Sequence, residues 1–179
     1  MHEATGGNPI ETGYPSIDKT HLKGEKFFDI HPIIPSMSIY NALNLISSLY
    51  KKDNAIDCLE LEISFEELIK FSKIMSKGLK EIGIKANDIV AVSMPNFYQA
   101  VVMYLACNRI GAVTTFLNSY STIEEIEHYL NLFESPLFVN YNESKEYNEQ
   151  IKKNTKVKQI ITLYKEDINK KNVIFTIII

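Results

Sequence analysis

The chain has 179 residues, 45% of them hydrophobic and 23% charged, with a formal net charge of −3. Those figures fit one ordinary globular domain and exclude a disordered, fibrous or collagen-like chain. Mild acidity, with Arg109 the only arginine, removes the electrostatic case for a nucleic-acid partner and the planar fork that bidentate phosphate recognition uses.

Residues 1–38 carry four of the six prolines and four of the seven glycines, which predicts an extended arm with turns. Residues 39–179 then read as one α/β unit. Ile39, Leu43, Ile46 and Tyr50 recur at helical spacing and predict an amphipathic helix ending near Lys51-Lys52. A short strand is expected over Cys58–Ile63. Ser64 followed by Glu67 is a capping box, in which the hydroxyl accepts from the N3 amide and the carboxylate reaches back to the cap amide. Behind it Leu68, Phe71, Met75, Leu79 and Ile82 form one stripe, and Gly83 stands where a left-handed residue would stop the helix.

The run Ile89-Val90-Ala91-Val92-Ser93-Met94 is nearly all apolar, as expected of a strand buried on both faces of a parallel sheet. Pro95-Asn96 breaks it, a helix apolar over most of its circumference is expected from Phe97 to Ile110, and Gly111 ends that helix. Ala112–Leu117 reads as a second buried strand. Ser121 with Glu124, or Thr122 with Glu125, offers a second capping box before Ile126 and Leu130. A strand at Leu137–Tyr141, a polar helix over Asn142–Asn154 and a strand at Gln159–Leu163 follow. Alternating strands and helices imply a doubly wound, mostly parallel sheet. The apolar tail Val173–Ile179 reads as a sheet strand whose continuation is missing, and its deletion is expected to improve solubility.

No constellation of catalytic residues stands out. His2, His21, His31 and His128 lack the clustering that zinc ligation needs. Cys58 and Cys107 match no metal or redox spacing and suit a reducing, cytoplasmic compartment. No stretch reaches the roughly 18–20 apolar residues of a transmembrane segment. Asp53, Asp57, Glu60 and Glu62 read as solvated carboxylates. Ser93 and Ser119 lack nucleophile-elbow glycines. Gly6-Gly7 lacks the flanking strand and helix of a phosphate loop. The Lys-rich stretch from Lys145 to Lys171 is interleaved with Glu143, Glu146, Glu149, Glu166 and Asp167, the pattern of a solvated face. Phe97, Val101, Val102, Leu105 and Ala106 read as core beneath the sheet. A small ligand, if one binds, is expected at the carboxyl ends of the strands, near Asn96, Asn118 or Asn140.

The order of Ile63-Ser64-Phe65-Glu66-Glu67-Leu68, Gly83-Ile84-Lys85, Asp88-Ile89-Val90-Ala91-Val92 and Met94-Pro95-Asn96 resembles the opening of the AMP-binding domain of adenylate-forming enzymes. Arg109-Ile110-Gly111-Ala112-Val113, Leu117-Asn118 and Thr122-Ile123-Glu124-Glu125-Ile126 continue the likeness. The leader Gly13-Tyr14-Pro15-Ser16-Ile17-Asp18-Lys19 is similar to that of acyl-CoA ligases. The resemblance implies a partial, N-terminal piece of an acyl-CoA synthetase, covering about the first third of a full-length member. It also implies the parent reaction: a carboxylic acid, ATP and CoA give acyl-CoA, AMP and pyrophosphate, with Mg²⁺ as cofactor. The Ser/Thr/Gly-rich phosphate loop ending in Pro-Lys is expected downstream of these strands, yet no glycine follows Gly111. No family catalytic, cofactor-binding or metal residue is therefore carried over. The expectation is a fragment inactive by itself, binding no ATP, Mg²⁺ or CoA, with a free-standing ligand-binding or interaction module as the alternative.

Overall fold

The computed structural model describes residues 36–58, 61–142, 144–165, 168 and 176–178, the last three for their backbone alone. The arm over 1–38, with His2, His21, His31 and Gly6-Gly7, lies outside the described residues up to residue 35. The chain divides into two units between Ser36 and Met37, and each helix and strand named here belongs to the second, Met37–Ile179.

Helix α1 (Ile39–Leu49) starts at Ser38, whose hydroxyl accepts from the Asn41 amide. Its buried face is not the expected one. Tyr40 and Ser47 are buried and Leu43 packs on the core, while Ile39, Ile46 and Tyr50 are exposed. The reason is the anchor: Tyr40 N–H donates to Asn108 Oδ1 at 2.9 Å, and the Tyr40 ring lies 5.5 Å from the Arg109 guanidinium. With apolar residues around most of α1, periodicity alone did not select the face.

In place of one strand over Cys58–Ile63 there is a hairpin, β1 (Asn54–Cys58) antiparallel to β2 (Leu61–Ser64), pairing Ile56 with Ile63 and Cys58 with Leu61. The hairpin leads directly into α2 (Phe65–Glu81), where both halves of the capping box form: Glu67 N–H donates to Ser64 Oγ at 3.3 Å and Ser64 N–H donates to Glu67 Oε2 at 2.9 Å. Such a cap is worth about 1 kcal/mol. Gly83, at φ +90°, ends the helix in the left-handed region.

The main sheet contains β3 (Ile89–Ser93), β4 (Val113–Phe116), β5 (Leu137–Asn140), β6 (Gln159–Thr162) and β7 (Thr176–Ile178), in the order β4-β3-β5-β6-β7. The first four are mutually parallel, and β7 is antiparallel to β6. Helices α3 (Tyr98–Ile110), α4 (Ile123–Leu132) and α5 (Lys145–Asn154) connect them.

Two cores flank this sheet. Val90, Val92, Leu137, Val139, Ile161 and Leu163 pack with α1, α2 and α3 on one face. Ala91, Phe138 and Ile160 point to the other, against Ile126 and Leu130 of α4 and Ile151 of α5. Successive strand residues serve opposite cores, which is why β3 reads as an unbroken apolar run. Burying each large side chain contributes about 1.5–3 kcal/mol.

The expected strand at Ala112–Leu117 is β4, but it is not buried throughout. It forms an edge, leaving Val113 and Phe116 about half exposed. The tail strand differs as well: Thr176–Ile178 pairs along β6, matching Ile160 with Ile178 and Thr162 with Thr176, and so covers that edge.

Candidate functional site

Because β4 and β5 flank β3 on opposite sides, the chain reverses its winding direction between β3 and β5. The crevice outside their carboxyl ends is the place where an open α/β sheet offers a ligand site. The segments that leave the two strands there bring Phe97 and Tyr141 together. Their rings meet edge to face, centroids 5.2 Å apart and planes at 73°. Edge-to-face contact is a favoured arrangement of two aromatic rings and holds the two exits together.

The three asparagines expected near the strand ends have separate fates. Asn140 is buried and bonded at both ends of its amide: Nδ2 donates to Asn148 Oδ1 at 2.8 Å, and Oδ1 accepts from the Thr162 hydroxyl at 3.0 Å and the Asn142 amide at 3.3 Å. It ties β5, β6 and α5 together. Asn118 Oδ1 accepts from Tyr120 N–H at 3.0 Å, fixing the turn after β4. Asn96 is exposed, and its carbonyl accepts from the Cys58 thiol at 3.6 Å.

Two open clefts lie on either side of Phe116. The larger in apolar character, about 440 Å³, runs between the hairpin and α3 and is lined by Ile56, Cys58, Phe97, Val101, Tyr104 and Phe116 among others. Val102, Leu105 and Ala106 are core as expected, Phe97 packs against that core while also lining the cleft, and Val101, 39% exposed, forms its wall instead. The second cleft, about 490 Å³, lies over Leu117, Asn118, Ser121, Glu125 and Tyr129. Chemically the first can receive an apolar group, and the second offers hydroxyl, amide and carboxylate contacts.

Among the described residues the titratable groups give no catalytic pair. Burial pushes the Cys107 thiol up to about 11, against the opposing hydrogen bond with Thr114. Burial, helped by the charge of Glu127, raises Tyr147 to about 12. Glu146 is held below the usual carboxylate range by its own backbone amide and the Ser144 hydroxyl, and Glu134 by its exposed ion pair with Lys156. Asp53, Asp57 and Glu62 are exposed, and Glu60 lies outside the described residues. Ser93 is buried, Ser119 is half-buried and His128 is exposed. Among the described residues no group of three or more His, Cys, Asp or Glu is placed to hold a metal, and no helix is long and apolar enough to cross a membrane.

Several buried polar residues escaped the sequence reading, Ser135 among them. Ser135, at 0% exposure, accepts from Ala91 N–H at 3.2 Å and donates to the Ile89 carbonyl at 2.6 Å, joining β3 to the start of β5. The signal for it was only a serine before Pro136, which reads as a turn.

Residues 50–176 match the family model described as AMP-binding enzyme. Over 52 residues the chain is 44% identical to the acetyl-coenzyme A synthetase of Coprinopsis cinerea, covering 29% of this chain and 8% of that protein. Over 113 residues it is 30% identical to 4-coumarate–CoA ligase-like 6 of Arabidopsis thaliana, covering 61% and 20%. Its fold is similar to that of the anthranilate CoA ligase AuaEII solved with anthranoyl-AMP: TM-score 0.68 at 16% identity, over 73% of this chain and 26% of that one. The chain thus spans a fifth or less of the length of these two curated relatives.

Proposed function

Because the chain belongs to the AMP-binding enzyme family, we propose that it forms the N-terminal part of the AMP-binding domain of an ATP-dependent, AMP-forming acyl-CoA synthetase and is catalytically silent by itself. The match over 50–176, on a parallel sheet wound as in the CoA ligases, carries the first half of that reading. The parent reaction joins a carboxylic acid to CoA through an acyl-adenylate, and would use ATP and Mg²⁺.

The described residues do not fit the nucleotide or its metal. Among the described residues Asn140 makes its bonds within the protein, and no group of three or more His, Cys, Asp or Glu is placed to hold a metal. A triphosphate needs several convergent amide or cationic donors, and its magnesium needs carboxylate oxygens.

The test is carboxylate-dependent ATP–pyrophosphate exchange with the purified chain, across short, medium and aromatic acids. No exchange above the carboxylate-free control is expected; exchange would refute the silence. The parental reading is checked separately by sequencing the transcript past the Ile179 codon. A Ser/Thr/Gly-rich loop ending in Pro-Lys supports it, and unrelated sequence in every frame overturns it.

The apolar cleft at Phe97 and Phe116 favours one second reading, a small-ligand-binding module for acids with an apolar tail. Calorimetric titration with such acids would show saturable heat lost in Val101→Asp; no heat from any of them removes this reading.

A further inference from the structure

We propose that the flank formed by α1 and α2 docks onto an anionic lipid surface, with α1 lying in the plane of the interface. The proposal stands on two features that neither the core nor the clefts explain. The first is α1 itself, which contains no charged residue and yet faces outward. Leu49 is 75% exposed, Leu45 60%, Ile39 49% and Ile46 39%, so a crest of large aliphatic side chains stands free along a helix about 16 Å long. A helix on a soluble surface ordinarily places its polar residues there.

The second feature is the groove beside that crest. It measures about 790 Å³ and carries Lys51 from the end of α1, Lys70, Lys73 and Lys77 from α2, and Arg109 from α3. Lys70, Lys73 and Lys77 recur at i, i+3 and i+7, so they share one face of α2, and Ile74, 41% exposed, sits among them. Two acidic residues, Glu66 and Glu67, line the same groove, and Glu67 is engaged in the Ser64 cap. Five cations against two carboxylates give a local positive surface on a chain whose net charge is −3.

An aliphatic crest flanked by lysines is the pattern of a helix that lies at a bilayer surface, its apolar residues in the acyl boundary and its cations at the headgroups. The long lysine stems reach sideways without leaving the polar layer. Charge complementarity selects this occupant over a second copy of the chain. In a two-fold contact the same patch meets itself, and the cations of one groove would face those of the other. Lying on the surface is also all that α1 can do, since at 11 residues it is too short to span.

The experiment is vesicle flotation of the full 179-residue chain, with phosphatidylcholine alone and with phosphatidylcholine mixed with phosphatidylglycerol. The chain is expected to float with the mixed vesicles, to remain behind with the neutral ones, and to dissociate as salt shortens the screening length. Replacing Lys70, Lys73 and Lys77 with Gln should lower partitioning by on the order of a hundredfold, at about fivefold per lysine near the surface. Leu45→Asp with Leu49→Asp should abolish it. Both leucines are exposed, so circular dichroism should be unchanged in that pair. Lys152→Gln with Lys153→Gln, on α5, should leave flotation as it was. The proposal is overturned if the chain floats with neither vesicle, if the α5 pair weakens binding as much as the α2 set, or if light scattering shows a dimer that the leucine pair converts to monomer.

Discussion

Two serines of equal burial separate a local hydrogen bond from one that holds the sheet together. Ser72 and Ser135 are both 0% exposed. The Ser72 hydroxyl donates at 2.8 Å to the Leu68 carbonyl four residues earlier in its own helix, an oxygen that a helical amide already reaches. Ser72→Ala should therefore cost within about 0.5 kcal/mol, because alanine also favours the helix. Ser135 accepts from the Ala91 amide and donates to the Ile89 carbonyl, 44 and 46 residues away. Ser135→Ala removes a hydroxyl that meets the buried Ala91 amide and the Ile89 and Leu137 carbonyls, at about 1–3 kcal/mol for buried polar groups left with fewer partners. For a chain of this size that loss lowers Tm by roughly 2–12 °C. Urea unfolding followed by circular dichroism measures both variants, with the slope checked for constancy so that the midpoint reports stability. Equal losses in the two variants, or a loss below about 0.5 kcal/mol for Ser135→Ala, would refute the assignment of Ser135 as a cross-strand tie.

Four further outcomes are expected. In native protein a thiol reagent should modify half-buried Cys58 first and reach Cys107 only on unfolding; simultaneous labelling would contradict its burial. Because the folded-state value of Cys107, about 11, lies above its ordinary 9.0, its contribution is intact below pH 9 and is lost as pH rises towards 11. Urea midpoints should accordingly fall more steeply over that window in the parent than in Cys107→Ala. Gly111→Ala should cost about 1–2 kcal/mol, since it adds a Cβ 3.2 Å from that of Ala86 at φ +80°, whereas Gly83→Ala, with open space around it, should cost about 1 kcal/mol; an equal loss in thermal unfolding would remove the steric part. Deleting residues 173–179 removes the three β7 residues that pair with β6, so it should lower stability by about 1–3 kcal/mol and increase aggregation, reversing the expectation from composition alone. A more soluble, equally stable product in sedimentation and urea assays would restore the original expectation.

The features legible in the sequence were those with a local signature. The Ser64–Glu67 box, the alternative Thr122–Glu125 over Ser121–Glu124, the stop at Gly83 and the doubly buried β3 all follow from spacing within a few residues, and each is present. The start of α5 shifts from Asn142 to Lys145, because Ser144 takes the cap and Asn142 Oδ1 accepts from the Ser144 amide. The hairpin was missed because β1 is short, only partly buried and carries Asn54 and Asp57, so its alternation is faint. The α1 face was misread because its choice depends on Asn108 and Arg109, nearly seventy residues later. At the strand ends, Asn96, Asn118 and Asn140 could be named as polar groups in the right place. Their separation into a free surface group, a turn former and a buried brace depends on Cys58, Tyr120, Asn148 and Thr162, which no local pattern reports. The Phe97–Tyr141 contact depends on β5 pairing beside β3 and is invisible in one dimension.

The strand order β4-β3-β5-β6-β7 has a bearing on how the chain is made. β3 emerges first from the ribosome and is central in the four-stranded parallel part; β4 then joins one of its sides, β5 the other, and β6 and β7 extend that second side in turn. Every strand therefore finds a vacant edge waiting when it arrives, and none must wedge between two partners already paired. Vectorial synthesis can build this sheet by accretion, with no step in which earlier hydrogen bonds are undone to admit a later segment. The long-range pairing that usually slows parallel sheets is thereby met one crossover at a time.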